Sequence, residues 1–338
     1  MKLAVVLFNL GGPDSLEAVE PFLNNLFSDP AIISLPTFLR NPLARLIARR
    51  RAPVAREIYA KIGGRSPILE ETEAQAHALE RALGSYEARV FIAMRCWKPF
   101  NEDAARDVAA WAPDHIVLLP LYPQYSTTTS GSALKEWRRA RAAAGIAARE
   151  TRVCCYPWMS GFIDAVAGLT RETFARARSD VSYRVLLSAH GLPKRVVAKG
   201  DPYQWQIEKT AAALVERLGI RDWTVCYQSR VGPLKWIGPS TDQEIRRAGR
   251  DGKGLVVVPI AFVSEHSETL VELDIEYEKL AREAGVRDYL RVPTVGAHPA
   301  FIAGLAELVV QSLGQSGPVT CGSGRLCPAK QKACGYSE

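Results

Sequence analysis

Residues 262–280 read FVSEHSETLVELDIEYEKL, a run with six acids, one histidine and one lysine. It follows the apolar segment LVVVPIAF, so the charge begins where a strand would end. As an α-helix with Ser264 at its N-cap, the run puts Glu265, Glu268, Glu272 and Glu276 on one narrow face. Glu265 would favour the positive helix end. Leu270, Leu273, Tyr277 and Leu280 form another face, with His266 beside them. Like charges at i,i+4 each cost a helix about 0.2–0.5 kcal/mol, and two such pairs lie in the row. A solvated acidic face is the bland reading, but such faces usually mix signs. A row of one sign leading from a cleft suits cation passage or proton relay.

Two other sets of residues could do chemistry. His190 stands in LLSAHGLP between Ala189 and Gly191, whose small side chains leave access to the ring. A lone histidine at a strand end is more often structural, and imidazole is also the one side chain that ordinarily titrates near neutrality. Cys321, Cys327 and Cys334 lie in the tail VTCGSGRLCPAKQKACGYSE. Three thiols need a fourth to close a tetrahedral zinc or a [2Fe–2S] site, and Cys154 and Cys155 are the best donors. Free thiols in an unstructured tail are the plain alternative. Cys226 falls in an apolar strand pattern and reads as packing.

Short apolar runs near 3–9, 89–94, 115–121, 151–156, 183–189, 223–228, 254–262 and 289–294 predict strands. Helical periodicity is clearest at 66–83, 101–111, 160–178, 203–218, 264–284 and 299–313. This alternation predicts an α/β chain with parallel sheets flanked by helices. The halves repeat. LFNLGGP at 7–13 matches LSAHGLP at 187–193, with Leu10 where the second half has His190. VLLPLYPQYSTTTSGSAL at 117–134 matches VVVPIAFVSEHSETLVEL at 256–273. The reading is two similar Rossmann-like domains, 1–150 and 151–313, with a cysteine-containing tail at 314–338. In such sheets ligands bind beyond the carboxyl ends of strands, where the Gly-rich and polar clusters fall here.

The offsets of the two matches differ, so the first half carries extra residues, placed at 28–66. From Ala31 to Arg56 that segment holds six arginines and no acid, interleaved with leucines, isoleucines and Phe38. It reads as a surface helical excursion, or as an amphipathic lip that touches a membrane and grips an acidic, greasy ligand. The net charge of +7 favours anionic partners without choosing among them. No GxGxxG follows a strand and no GxxxxGK[ST] loop occurs, so nucleotide binding is not supported. No nucleic-acid partner is expected. The N-terminus MKLAVVLFNLGGPD reads as a cytosolic first strand, not a secretory signal, and no apolar run is long enough to span a bilayer.

Taken together, FNLGGP at 8–13, IGGRSP at 62–67, LPLYPQYS at 119–126, LLSAHGLP at 186–193, GDPY at 200–203 and YQSRVGPLKWIGP at 227–239 resemble the ferrochelatases. The resemblance covers residues 3 to about 313. It implies two Rossmann-like domains around a porphyrin cleft, and insertion of Fe²⁺ into protoporphyrin IX with no organic cofactor. It implies His190 as base or iron ligand, Glu268 as the carboxylate opposite it and Glu272 as the next step of an acidic path. His266 and Glu265 match the same motif. Trp236 would lie along the macrocycle, with Leu10 also at the substrate. Arg51, Tyr59 and Ser66 would lie near the propionates, and Arg95 in the cleft. Some relatives follow that arginine with tyrosine, where this chain has Cys96. The tail implies a [2Fe–2S] cluster on Cys321, Cys327, Cys334 and either Cys154 or Cys155, because Thr127 stands where animal relatives carry the internal ligand. Location is expected to be cytoplasmic, with peripheral contact on the inner membrane face through residues 31–50. A sister chelatase for coproporphyrin or cobalt, and a porphyrin carrier without turnover, are the competing readings.

Overall fold

The computed structural model describes residues 1–230, 232 and 234–337. The chain begins on β1 (Lys2–Asn9) and passes through α1 (Val19–Ser28), α2 (Thr37–Ala60) and α3 (Ile68–Ala82) to β2 (Glu87–Met94). Helix α4 (Asn101–Trp111) leads to β3 (His115–Pro120), and α5 (Ser130–Ala143) to β4 (Arg149–Cys155). Helix α6 (Ser160–Phe174) then crosses to β5 (Tyr183–His190). In the second half, α7 (Lys194–Ala198) and α8 (Tyr203–Leu218) precede β6 (Trp223–Gln228), and α9 (Thr241–Arg250) precedes β7 (Gly254–Pro259). A π-helix (Glu268–Tyr277) continues into α10 (Glu278–Glu283) and β8 (Tyr289–Arg291). Helix α11 (Pro299–Leu313) and the two-residue β9 (Val319–Thr320) follow.

The strands form two parallel sheets, ordered β2-β1-β3-β4-β9 and β6-β5-β7-β8. Without β9 the two orders are the same permutation, with β1 in the place of β5 and β3 in the place of β7. Those are the strands that carry the internal sequence matches. Three helices lie between β1 and β2 but two between β5 and β6, and α2 falls in the segment expected as extra. The sheets are covered on both faces at their centres, so β1, β3 and β7 are near-continuous apolar runs and not alternating. Leu3, Val5 and Leu7 enter the large core shared with the second sheet, while Ala4, Val6 and Phe8 face α4 and α5. In the second sheet Val256 and Val258 enter the shared core, and Leu255 and Val257 pack on the far side with Ile245 and Leu273.

The expected division at residues 150 and 151 does not match the sheets. Strand β4 runs through it and pairs with β3 in the first sheet. Helix α11, expected with the second half, packs against α6, α3 and β4. Gly161 permits this contact, because a Cβ there would run into the Ala300 carbonyl. The tail is stitched to the first sheet through β9 on β4, at Val153↔Val319 and Cys155↔Thr320.

Candidate active site

His190 is the last residue of β5, at the carboxyl end where parallel sheets bind ligands. Its Nδ1 lies 2.9 Å from Glu268 Oε2. His266 Nε2 approaches the same oxygen at 3.6 Å, and its Nδ1 contacts the Ser264 carbonyl at 3.1 Å. Burial alone would push His190 toward the neutral form. Glu268, and Glu272 behind it, more than offset this and hold its pKa above the ordinary imidazole value. Burial likewise favours the neutral form of Glu268, but His190 and His266 hold its pKa well below the carboxylate range.

Glu272 is the opposite case. Burial, then the Glu268 charge, raises its pKa, although several donors work against them. Its carboxylate accepts from the Ser229 amide at 2.8 Å, the Ser229 hydroxyl at 2.5 Å and the Tyr277 hydroxyl at 2.9 Å. Gln228 Nε2 donates to Glu272 at 3.2 Å and to the Glu268 carbonyl at 3.0 Å, joining β6 to the π-helix. Two adjacent carboxylates thus have environments that push them apart, Glu268 toward charge and Glu272 toward the proton.

The acidic run differs from the α-helix its sequence suggests. Its π-helix starts at Glu268, and Ser264 does not cap it but donates to Gln75 at 3.2 Å. The wider i→i+5 turn puts Tyr277 over Glu272, two residues that α-helical spacing had placed on different faces. Glu265 leaves the row for Arg291 at 2.5 Å and the Thr294 amide at 2.9 Å. Arg291 also grips Asp274, so two of the six acids have a basic partner from β8. Glu276 is exposed. The stripe therefore narrows to Glu268 and Glu272.

The other sequence candidates divide. Trp236 packs beside Gly191 and bridges to Pro193, next to His190, with its indole N–H buried and without a partner among the described residues. The Tyr59 hydroxyl meets the Ser267 hydroxyl at 3.5 Å, beside Glu268, and burial pushes its pKa up to about 12. Ser66 is buried, and its hydroxyl accepts from the Ile68 amide at 3.4 Å. Leu10 packs in the turn after β1 with Trp97 and Cys96, and its carbonyl accepts from the Cys96 amide at 2.8 Å. Arg51 is exposed on α2, 5.7 Å over the Phe27 ring. Arg95 is held by Asp29 at 3.0 Å and Ser132 at 2.8 Å, in a polar pocket that also takes in Asn25 and Asn101. Ser229, Tyr277 and Tyr203 were missed. Tyr203 and Ser229 fall inside the motifs GDPY and YQSRVGPLKWIGP, and Tyr277 lies five residues after Glu272, but none was singled out as a contact to the site.

All seven cysteines are free thiols. Hydrogen bonds from Cys154 and Cys327 pull Cys334 below the ordinary thiol value. The Cys334 contact pushes Cys327 up, and contacts with Cys155 and Cys334 push Cys154 up. Gln206 Nε2 donates to Cys155 Sγ at 3.4 Å and to Cys327 Sγ at 3.1 Å. Cys321 joins the edge, its amide donating to the Cys155 carbonyl at 3.3 Å. The ladder between β4 and β9 shifts register between Val153 and Cys155. Among the described residues, no three of His, Cys, Asp and Glu are arranged as they stand to hold one metal ion.

Comparison with known proteins bears on this geometry. A family model for ferrochelatase matches residues 2–313. The chain belongs to the ferrochelatase family. It is 57% identical over 339 residues to the ferrochelatase of Phenylobacterium zucineum, covering 99% of this chain and 98% of the relative. To that of Caulobacter vibrioides it is 56% identical over 339 residues, covering 98% and 97%. Among solved structures, SirB from Bacillus subtilis with Fe³⁺ is 15% identical with a TM-score of 0.54, covering 93% of this chain and 96% of that one. A sirohydrochlorin chelatase SirB with cobalt is 13% identical with a TM-score of 0.53, covering 92% and 95%. At these identities the structures speak for the fold alone, and they share the chelatase architecture of the ferrochelatase family.

Proposed function

We propose that this chelatase, a lyase by reaction class, inserts Fe²⁺ into protoporphyrin IX to give protohaem, with His190, Glu268 and Glu272 as the groups that act on the metal and the protons. The observation that carries the reading is the His190–Glu268–Glu272 array, with pKa values moved in different directions. Metalation removes two pyrrole N–H protons and admits a dication. Neutral His190 can accept a proton, and ionised Glu268 beside it stabilises the imidazolium that results. Burial and the Glu268 charge raise the Glu272 pKa, and a dication arriving there would offset both. Carboxylate oxygens can hold Fe²⁺ without retaining it as thiolates would. Trp236 and Leu10 would flank the ring, with Tyr59, Ser66 and Arg51 toward its acidic edge. Arg95 would serve through the Asp29 cluster.

The test is loss of porphyrin fluorescence on adding Fe²⁺ or Zn²⁺. Metalation no faster than in buffer would mean a carrier. Faster turnover of coproporphyrin than of protoporphyrin, or of Co²⁺ than of Fe²⁺, would mean a sister chelatase. His190→Ala should lose nearly all turnover while still binding porphyrin.

The thiols fit a [2Fe–2S] cluster in donor chemistry. Cys321, Cys327 and Cys334 with either Cys154 or Cys155 would hold it, and the Gln206 amide is aimed at two of the sulfurs. Such a group supplies one-electron redox chemistry and ties the tail to β4. A red-brown purified protein supports it, and a colourless protein with stoichiometric zinc would sink it. Residues 31–50, which lead into α2 and form its first half, are read as a peripheral contact on the inner face of the cytoplasmic membrane. Among the described residues no helix is long and apolar enough to cross one.

A further inference from the structure

One short segment of the second half is held by side chains of the first. It runs from Ile260 to Ser264, between the end of β7 and the run that carries His266 and Glu268. Ile260 still belongs to the sheet, its amide donating to the Ser188 carbonyl at 3.0 Å, two residues before His190. Its carbonyl accepts from Gln124 Nε2 at 3.0 Å, and the same nitrogen donates to the Thr210 hydroxyl at 2.9 Å. Gln124 stands in the loop after β3, within LPLYPQYS.

Gln75 reaches the other end of the segment from α3. Its Nε2 donates to the Val263 carbonyl at 2.8 Å and the Gly296 carbonyl at 3.0 Å, and its Oε1 accepts from the Ser264 hydroxyl at 3.2 Å. The Gly296 amide closes the knot on the Val263 carbonyl at 3.0 Å. Both glutamines are buried, Gln75 fully. A buried amide with its donors and acceptor paired keeps one placement, because any other leaves a polar group unsatisfied. Three residues earlier on the same face of α3, the Thr72 hydroxyl accepts from Asn9 Nδ2 at 3.0 Å, which ties the helix to the end of β1. Ser66 lies just before that helix.

We propose that Gln75 and Gln124 are positioning residues for metal insertion, two buried amides of the first half that set the segment 260–264, and with it Glu268, against the side of the site that carries Tyr59 and Ser66. Neither glutamine is in hydrogen-bond contact with His190, Glu268 or Glu272. Ser264 is four residues from Glu268, and the path between them is stiff. The Thr269 and Leu270 amides both donate to the His266 carbonyl, at 3.1 and 2.9 Å, so a shift at Ser264 passes into the first turn of the π-helix. A misplacement of about 1 Å that starts away from the reacting atoms can cost on the order of 100-fold in rate. Porphyrin affinity comes from groups these amides do not touch, so rate and not affinity should register their loss. The inference rests on the proposed chelation in taking Glu268 as an acting group.

The test sets kcat for Zn²⁺ insertion into protoporphyrin IX beside porphyrin affinity, read from quenching of tryptophan fluorescence without metal. Gln75→Met keeps the length of the side chain and removes its hydrogen bonds. Its kcat should fall on the order of 100-fold while affinity holds. Gln124→Met should act in the same direction, and the double variant should fall by less than the product, because both amides hold one segment. Ser264→Ala removes only one of the bonds, so it should fold if Gln75→Met does not, with a smaller fall in kcat. The control is Val108→Ala, in the core between the first sheet and α4, which should lower Tm and leave kcat in place. A second readout needs no turnover. The Phe262 and His266 ring centroids lie 4.7 Å apart across the segment's end. Their nuclear Overhauser contact in the porphyrin-free protein should weaken in Gln75→Met and persist in Val108→Ala. An unchanged kcat in Gln75→Met, or a loss of affinity as large as the loss of rate, overturns the proposal. Should the wild-type protein metalate no faster than buffer, the chelatase reading fails by itself. The Overhauser contact then decides the placement of the segment, and its persistence in Gln75→Met overturns that too.

Discussion

An imidazole accepts a proton only while it is neutral. The carboxylate of Glu268 beside His190 raises its pKa, and burial opposes that rise. Metalation should therefore increase with pH through an acid limb that lies above the ordinary imidazole value of about 6.5. In Glu268→Gln the raising charge is gone and burial remains, so the limb should move to lower pH. Turnover on the plateau should fall about 100-fold, the scale of a lost positioned acid–base partner. The pH dependence of kcat measures both. A limb that stays in place in Glu268→Gln would show that some other group titrates. Glu272 carries the opposite sign, its proton favoured by burial and by Glu268. Tyr277→Phe removes one donor to its charged form, so its pKa should rise further and the KM for metal should increase. The KM for porphyrin should not change, and a rise in both would place Tyr277 at the ring.

Element by element, legibility followed the kind of burial. Strands covered on both faces leave uninterrupted apolar runs such as LAVVLF and LVVV, and their positions were readable to within a few residues. Helices α1, α5 and α9 were not read. In α9, TDQEIRRAGR has only Ile245 as a large apolar anchor, so its periodicity is faint. Within ten residues a π-helix and an α-helix share nearly the same apolar pattern, and the choice is made by tertiary partners such as Ser229 and Arg291. His190 and Glu268 were legible because motif and strand end coincide. The contacts of Ser229 with Glu272 and of Tyr203 with the His190 carbonyl were not, because they arise where separate elements converge. The placement of α11 was also hidden, since helix periodicity says nothing about which sheet a helix covers. It makes a prediction at this scale. Gly161→Ala drives a methyl into the Ala300 carbonyl, and backbone cannot yield as a side-chain tip does. The cost should be about 1–3 kcal/mol, seen as a Tm several degrees lower. An unchanged melt would mean that α6 and α11 are not in close contact.

The whole molecule presents α2 as its one long helix with a bare apolar flank among the described residues. Ala44, Ala48 and Ala52 line its buried face. Leu39 and Leu46 project on the other side, 50% and 47% exposed, with Phe38 at 74% and Val54 at 60% on the margins. Arg40, Arg45, Arg49 and Arg50 lie among them. Burying each large apolar side chain in a bilayer interface contributes about 1.5–3 kcal/mol, and each arginine near anionic lipid about 1 kcal/mol. The two contributions are comparable, so neither should account for binding alone. The protein should float with vesicles containing anionic lipid and much less with neutral ones. High salt should weaken that binding without abolishing it, because screening removes the arginine share and leaves the apolar share. Phe38→Ser with Leu39→Ser should remove most of what salt leaves behind. Equal flotation on neutral and anionic vesicles, or flotation indifferent to the paired substitution, would show that α2 is not the contact, and its arginines would then be read as facing the acidic edge of the bound ring alone.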